Sequence, residues 1–370
     1  SDVCSSDLTD LNWMAGSQYV YSFGKCIFMP SDLTAGIEFN QDKLEDNMWG
    51  YNRTVDQKVN IGSAFLQNEW KNEHWGFLIG GRLDKHNLID HVIFSPRANL
   101  RYNPTENINL RFSYSSGFRA PQAFDEDLHV ENVGGNVAMV ELADNLKEER
   151  SQSLSASADI YHRFGAFQVN FLVEGFYTKL SDVFALTDGE VVDGILTRTR
   201  YNAPGARVMG LTLEGKMAYL TKFQVQAGVT LQQSHYSEPH VWNKEAPAVK
   251  KMMRTPNTYG YFTATYTPIK PLSIALSGTY TGSMLVPHEP VPGFLEKPIT
   301  VNTKDFFDIG LKAAYDFKLY KSMNLQVNAG VQNIFNAYQN DFDKGADRDS
   351  GYIYGPSLPR SFFAGVKISY

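Results

Sequence analysis

Apolar and polar residues alternate along most of this chain with a period of two. The clearest case is Ile108, Leu110, Phe112 and Tyr114, separated by Asn109, Arg111, Ser113 and Ser115. That pattern predicts a strand with one apolar and one polar face. The same alternation sets Phe167, Val169, Phe171 and Val173 against Gln168, Asn170, Leu172 and Glu174. It sets Met323, Leu325, Val327, Ala329 and Val331 against Asn324, Gln326, Asn328, Gly330 and Gln332. It closes the chain with Phe362, Ala364, Val366, Ile368 and Tyr370 on one face. About fifteen strands are predicted in this way, and no helix beyond a single turn at Ala123–Leu128.

The connections alternate in length. Short turns are predicted at Asn72–His74, Asn103–Asn107, His162–Gly165, Leu220–Lys222, Thr267–Pro271 and Lys318–Ser322. Between them lie long polar stretches: Asp46–Gln57, Phe118–Glu149, Ser181–Ala206, Ser234–Thr255, Ser283–Thr303 and Phe335–Arg360. Near the start, a strand at Tyr19–Phe23 is followed by a turn over Gly24–Asp32, a strand at Leu33–Leu44 and another at Val59–Lys71.

Short turns at one end and long loops at the other fit an antiparallel transmembrane β-barrel with an apolar outside and a polar lumen. A backbone in lipid must satisfy its own hydrogen bonds, so a spanning sheet has to close. Tyr102, Tyr114, Tyr161, Tyr177, Tyr219, Tyr280, Phe317 and Tyr370 gather near strand ends, where rings suit a headgroup girdle. A soluble antiparallel sandwich shares the alternation. The rhythm of turn lengths and the scarcity of Lys on the apolar faces favour the barrel.

Composition narrows the field further. The chain has 370 residues, a formal charge of -6, 24 Phe and 20 Tyr. Its arginines occur singly, so no basic stripe points to nucleic acid. No apolar run is long enough for a membrane helix, and no signal peptide opens the sequence. Cys4 and Cys26 have no metal-ligand spacing, and a disulfide between them is open. Bacterial barrel strands number evenly, with both termini in the periplasm. If Tyr370 ends a downward strand, the long stretches are extracellular, and the odd strand count suggests further strands before Ser1.

Several stretches together resemble the C-terminal part of the barrel of a TonB-dependent outer-membrane receptor. They are Ser95-Pro96-Arg97-Ala98 through Tyr102 and Pro104; Gly117-Phe118-Arg119-Ala120-Pro121; Asn145-Leu146-Lys147-Glu148-Glu149-Arg150-Ser151; Val331-Gln332-Asn333-Ile334-Phe335-Asn336-Ala337-Tyr338; and Tyr354-Gly355-Pro356 to Pro359-Arg360. The resemblance covers nearly all of residues 1–370 as one barrel domain, least securely 1–30. It implies a 22-stranded barrel of which this sequence supplies about strands eight to twenty-two. An N-terminal plug that binds an inner-membrane energy-coupling protein completes such receptors, and no plug is recognisable here. The implied task is uptake of a large scarce solute, such as a ferric siderophore, haem or cobalamin, without catalysis. No intrinsic cofactor is expected, because iron or cobalt would enter inside the ligand. A passive porin and a glycan-binding or oligosaccharide-uptake receptor, with a surface lipoprotein partner, are the alternatives.

In the resembled family the motif at Arg119 lies on the outer rim, and in haem receptors it precedes a loop histidine. His129 follows here and could ligate haem iron, while Arg119 could instead pair with Asp125, Glu126 or Asp127 and shape the loop. Trp49, Tyr51, Tyr236 and Trp242 are candidate ligand-contacting aromatics. His235, His240 and His288, with Met252, Met253 and Met284, lie in outer loops without a ligand interval. Asn340, Asp341, Asp343, Asp347 and Asp349 with Gly345 resemble a calcium loop in composition but lack its order; screened surface charge is the expectation. Arg82, Arg101, Arg111 and Glu174 should form a polar wall that meets the plug.

Overall fold

The computed structural model describes residues 6–49, 53–121, 131–133, 136–192, 195–320, 322–345, 348–349 and 351–370. Six long strands come first: β1 (Ser6–Cys26), β2 (Met29–Met48), β3 (Arg53–Lys71), β4 (Trp75–His86), β5 (Ile93–Thr105) and β6 (Ile108–Arg119). Short β7 (Glu131–Val133) and β8 (Asn136–Leu142) precede the hairpin of β9 (Glu149–Phe164) and β10 (Phe167–Ser181). Next are β11 (Val183–Val192), β12 (Ile195–Ala203), β13 (Ala206–Tyr219), β14 (Phe223–His240) and short β15 (Val249–Lys251). The rest are β16 (Thr258–Ile269), β17 (Leu272–Thr281), β18 (Leu285–His288), β19 (Ile299–Asn302), β20 (Phe306–Tyr320), β21 (Met323–Gln332) and β22 (Ser361–Ser369).

One antiparallel sheet carries the molecule. Its path is β1-β2-β3-β4-β5-β6-β9-β10-β13-β14-β16-β17-β20-β21-β22, with β15 added against β14. These are the fifteen predicted strands, in order. Two smaller sheets form from the long connections: β11-β12-β8-β7, where β12 and β8 run parallel, and the hairpin β18-β19. The described residues include no helix long and apolar enough to cross a membrane, which says nothing of crossing by strands. The helical turn expected at Ala123–Leu128 lies outside the described residues.

The apolar face is bare. Ile79, Phe112, Phe171, Val327 and Val366 are all exposed, Val366 to 67%. Direct register places Leu100, Phe112, Ala156, Gly175, Leu211 and Leu231 in one row across six strands. A soluble protein rarely leaves so wide an apolar surface in water; a barrel wall in lipid requires it.

Several strands outrun their predicted ends. β1 has 21 residues and β2 has 20, so the predicted turn Gly24–Asp32 is mostly ladder, and the loop Asp46–Gln57 is mostly the ends of β2 and β3. Outside the bilayer both faces of a hairpin meet water, so alternation fades while backbone pairing continues. The long stretches 181–206, 234–255 and 283–303, predicted as loops, gain strands for the same reason.

The short-turn end is locked by local chemistry. Asn72 Oδ1 accepts from the backbone N–H of His74 (2.9 Å) and of Trp75 (2.7 Å), which closes the β3–β4 turn. Register shifts near this end occur in β1–β2, β5–β6, β16–β17 and β20–β21. Bulges belong at barrel rims, where pairing stops.

Many strand glycines have a neighbour's ring laid over them. Gly36 lies under Phe65, Gly228 under Tyr261, Gly278 under Phe262 and Gly330 under Phe363, each in direct register. A ring covering a cross-strand glycine restores packing that the glycine lacks.

Candidate functional site

The polar face and the connections at its long-loop end form the candidate site. On the wall, Arg82 pairs with Glu38 (2.6 Å) and Asp84 (2.8 Å), and Ser63 donates to buried Asp84 (2.6 Å). Arg111 donates to Asn109 Oδ1 (2.8 Å), and Arg101 to the Asn72 carbonyl in the turn (3.0 Å). These three arginines already find acceptors within the chain. Further along, Tyr261 donates to Glu214, which also pairs with Lys216 (2.8 Å), and Gln226 donates to the Tyr261 hydroxyl (2.7 Å). A recess of about 590 Å³ lies beside it, lined among others by Tyr261, Thr263, Asp308, Gln332, Pro356 and Leu358.

At the rim, Gly117–Pro121 ends β6. Ala120 is buried with Ile89 and Ile93, and Phe118 packs against them, which fixes where Arg119 leaves the strand. The Arg119 and Arg200 guanidinium groups lie over the same Phe184 ring, at 5.3 and 5.7 Å. Phe184 is held in turn, because its N–H donates to Glu149 Oε2 (3.1 Å). Burial first, then the charge of Arg119, pushes the Arg200 pKa down. Arg200 is buried and Arg119 and Phe184 are half-buried, so the two cations and the ring form one packed cluster at the rim.

The stretch from Asn145 to Ser151 secures this patch. Asn145 is exposed and Leu146 half-buried. Lys147 donates its N–H to Asn202 Oδ1 (2.7 Å), and Asn202 Nδ2 donates back to the Lys147 carbonyl (3.0 Å). Buried Glu148 accepts from Arg150 (2.7 Å) and contacts His91 Nε2 (3.0 Å). Burial alone would raise its pKa; the hydrogen bonds from Arg150, the backbone and His91 outweigh that and hold it low.

A second assembly knots the outer connections. His288, buried, contacts Asp343 Oδ2 (2.8 Å) and stacks on Tyr352 at 3.8 Å. Tyr352 and Tyr354 both donate to Asp341, at 2.7 and 2.6 Å. Asp349 accepts from the Glu289 N–H (2.8 Å), and Asn243 donates to Glu289 Oε2 (2.9 Å). Arg254 donates to the carbonyls of Ile353 (2.9 Å) and Gly351. Burial raises the Asp341 pKa, but the bonds from Tyr354 and Tyr352 win and lower it. Burial and then Asp341 push Tyr354 up to about 12.

These contacts correct one expectation. Asp349 and the Asp343 carboxylate are buried acceptors inside the knot, not screened surface charge; Asp341 is exposed and also accepts from Tyr352 and Tyr354, while Asp347 lies outside the described residues. His288 belongs to the same knot. His240 sits against Tyr236 with ring centroids 4.8 Å apart, and burial lowers the one pKa and raises the other. The Trp242 indole N–H is buried without a hydrogen-bond partner among the described residues. Trp49 is 69% exposed, in the connection between β2 and β3, on the opposite flank of the sheet from Tyr236 and Trp242. Tyr51, His129 and the acids Asp125, Glu126 and Asp127 lie outside the described residues, as does one partner of the Cys4–Cys26 pair. Among the described residues no cluster of His, Cys, Asp and Glu is arranged to hold a metal ion.

Sequence reading missed Phe184, Arg200, Arg254 and Tyr352. Their signal is three-dimensional: each acts through a residue in another connection.

A family model described as TonB dependent receptor-like, beta-barrel matches residues 5–334. No curated protein matches the chain. Among solved structures, the ferric-catecholate import receptor Fiu from E. coli K12 superposes with a TM-score of 0.70 at 14% identity, covering 98% of this chain and 55% of that one. The siderophore receptor PirA from Pseudomonas aeruginosa gives 0.66 at 14%, covering 99% and 58%. A mutant of the ferric enterobactin receptor PfeA from the same organism gives 0.68 at 17%, covering 98% and 54%. The chain thus spans little more than half the length of these receptors.

Proposed function

Because the chain belongs to the TonB-dependent receptors, through a β-barrel matched over residues 5–334, we propose that it serves energy-coupled uptake of a ferric siderophore across the outer membrane of a Gram-negative bacterium. The full receptor would pair this wall with a plug and a TonB-type complex. The observation that carries the choice of ligand is the Arg119–Phe184–Arg200 stack at the rim. Ferric catecholates and hydroxamates are bulky, and the catecholates are strongly anionic. Arg119, the more accessible cation of the stack, and the Phe184 ring match them better than they match neutral oligosaccharide. The structural neighbours, receptors for a siderophore, a ferric catecholate and ferric enterobactin, support the same reading. The role is that of a receptor and transporter, not a catalyst.

The test uses the full-length gene product in a receptor-deleted host, supplied with single ferric chelates. Growth on a catecholate chelate that stops when the proton-motive force is collapsed is the expected result. Replacing Arg119 and Arg200 together by Ala should weaken chelate binding about tenfold to a hundredfold, the range for charged hydrogen bonds. Uptake that persists without energy would show a porin instead. Growth on haem alone, abolished by His129→Ala, would show a haem receptor.

A further inference from the structure

Two phenols and one carboxylate converge in the connection between β21 and β22. Tyr352 Oη donates to Asp341 Oδ2 (2.7 Å), and Tyr354 Oη donates to Asp341 Oδ1 (2.6 Å). Each phenol thus takes a different oxygen of the same carboxylate. Asp341 is exposed, unlike buried Asp349 and the Asp343 carboxylate. An exposed carboxylate can take its hydrogen bonds from water, so the fold gains little by aiming two tyrosines at it.

The aim is nonetheless fixed from several sides. The Tyr352 ring is buried and lies parallel on His288, 3.8 Å away and tilted by 4°. Asp343 holds that imidazole in place (2.8 Å). Arg254 donates to the carbonyls of Gly351 and Ile353, one on each side of Tyr352. Buried Gln339 accepts from the Tyr354 N–H (2.9 Å) and donates to the Tyr352 carbonyl (3.0 Å). The Tyr354 ring meets Tyr352 edge-on at 5.5 Å and Phe306 at 5.8 Å. Supporting groups that lock a set of donors in one geometry preorganise a site.

The donors are all hard oxygens, which suit a hard cation. Around a small octahedral cation with bonds of about 2.0–2.1 Å, neighbouring oxygens stand about 2.9 Å apart. The phenol oxygens already lie 2.7 and 2.6 Å from the carboxylate oxygens, so a cation can replace the two shared protons with little movement. A phenol keeps its proton up to about pH 10, and only a strongly polarising ion displaces it near neutrality. Tyrosinate is a known ligand of iron. We infer that Asp341, Tyr352 and Tyr354 form a binding site for ferric ion in the last long connection. As iron binds, two Fe–O bonds replace two O–H bonds, both protons pass to solvent, and the iron stays ferric. Water or the oxygens of a chelator complete the shell on the open side. His288 and Arg254 are positioning residues. The assignment stands on this geometry and not on the identity of the transported solute.

The experiment titrates ferric nitrilotriacetate into full-length protein in detergent and follows visible absorbance. Ferric tyrosinate gives a charge-transfer band that neither the chelate nor the iron-free protein has, and it should saturate at one equivalent. Tyr354→Phe keeps the ring and its packing; it should shrink the band and weaken affinity at least about tenfold. Tyr352→Phe combined with Tyr354→Phe should abolish the band. Bound iron should also slow proteolysis between residues 335 and 360 in the wild type, because a ligand stabilises the state that binds it. That measurement places the iron without any substitution. A wild type with no band, proteolysis unchanged by saturating iron, or a band that survives in the double variant would each overturn the inference. Equal displacement of iron by magnesium would overturn the assignment to a trivalent ion. Every readout is made without transport, so failure of this site and failure of the uptake reading are seen separately.

Discussion

The wall and the knot are built on opposite principles. In the wall, each strand is specified by its own alternation, and neighbours pair antiparallel in sequence order from β1 to β22, with register shifts only near the short turns. Its polar groups find partners close by: Arg111 with Asn109, Arg82 with Asp84. In the knot, the partners come from distant connections, as when His288 meets Asp343 or Arg254 meets Ile353. The wall is redundant, because losing one pair leaves its neighbours. The knot is not, because each buried acceptor has few donors. Buried polar networks hold firmly when complete and fail sharply when one member is lost.

The comparison can be broken from either side. The largest effect should come from Gly330→Val in the wall. A Cβ there would sit 2.5 Å from both the Leu311 carbonyl oxygen and the Phe363 ring. Backbone cannot yield as a side chain can, so overpacking of about 1–3 kcal/mol or more is expected. The readout is the fraction of full-length protein that stays heat-modifiable on a gel; an unchanged fraction would mean that the wall is looser than its register implies.

Asp343→Ala should be next. It strands the His288 ring in a buried site, at about 1–3 kcal/mol for an unsatisfied group. The cost should appear as faster proteolysis between residues 335 and 360, with barrel heat-modifiability unchanged. If the barrel melted instead, wall and knot would be one cooperative unit.

Acidity should separate them more gently. Asp341 is held below its ordinary value, so its contribution is complete above about pH 4 and fades as pH falls further. Tyr354 is raised, so its contribution is complete below about pH 10. That contribution is lost as pH rises through the value of about 12. Proteolysis of the knot should therefore be slowest between those limits, and Asp341→Asn should flatten the acidic side. The smallest effect should come from Lys71→Ala. Its 2.7 Å pair with Asp32 is solvent-exposed, and such pairs contribute little; gel stability should not change.

The same contrast explains what could be read from residues alone. Strand number, order and the short turns were legible because lipid on one side and water on the other enforce a two-residue period. Asn72–His74 and Leu220–Lys222 were found where predicted. Strand ends were not, because the residues after Asn40 are almost all polar while backbone pairing runs on to Met48, so that pairing leaves no trace in polarity. The place of Arg119 at the end of β6 was legible from its motif, but its neighbours Phe184 and Arg200 were not, since only the docking of β11 and β12 brings them to it. Asp343 and Asp349 were misread because a buried carboxylate and a surface carboxylate look alike in sequence.

The rings laid over glycines bear on passage through the barrel. Phe65, Tyr261 and Phe363 belong to the polar face, and each lies flat against the strand beside it. Under the uptake proposed above, a duct for a bulky cargo would keep its width because its largest groups hug the wall. A single methyl added at Gly36 or Gly228 would lift a ring belonging to another strand into the opening. Bore and sequence are thereby linked across strands, so narrowing could arise from a residue that never touches the cargo.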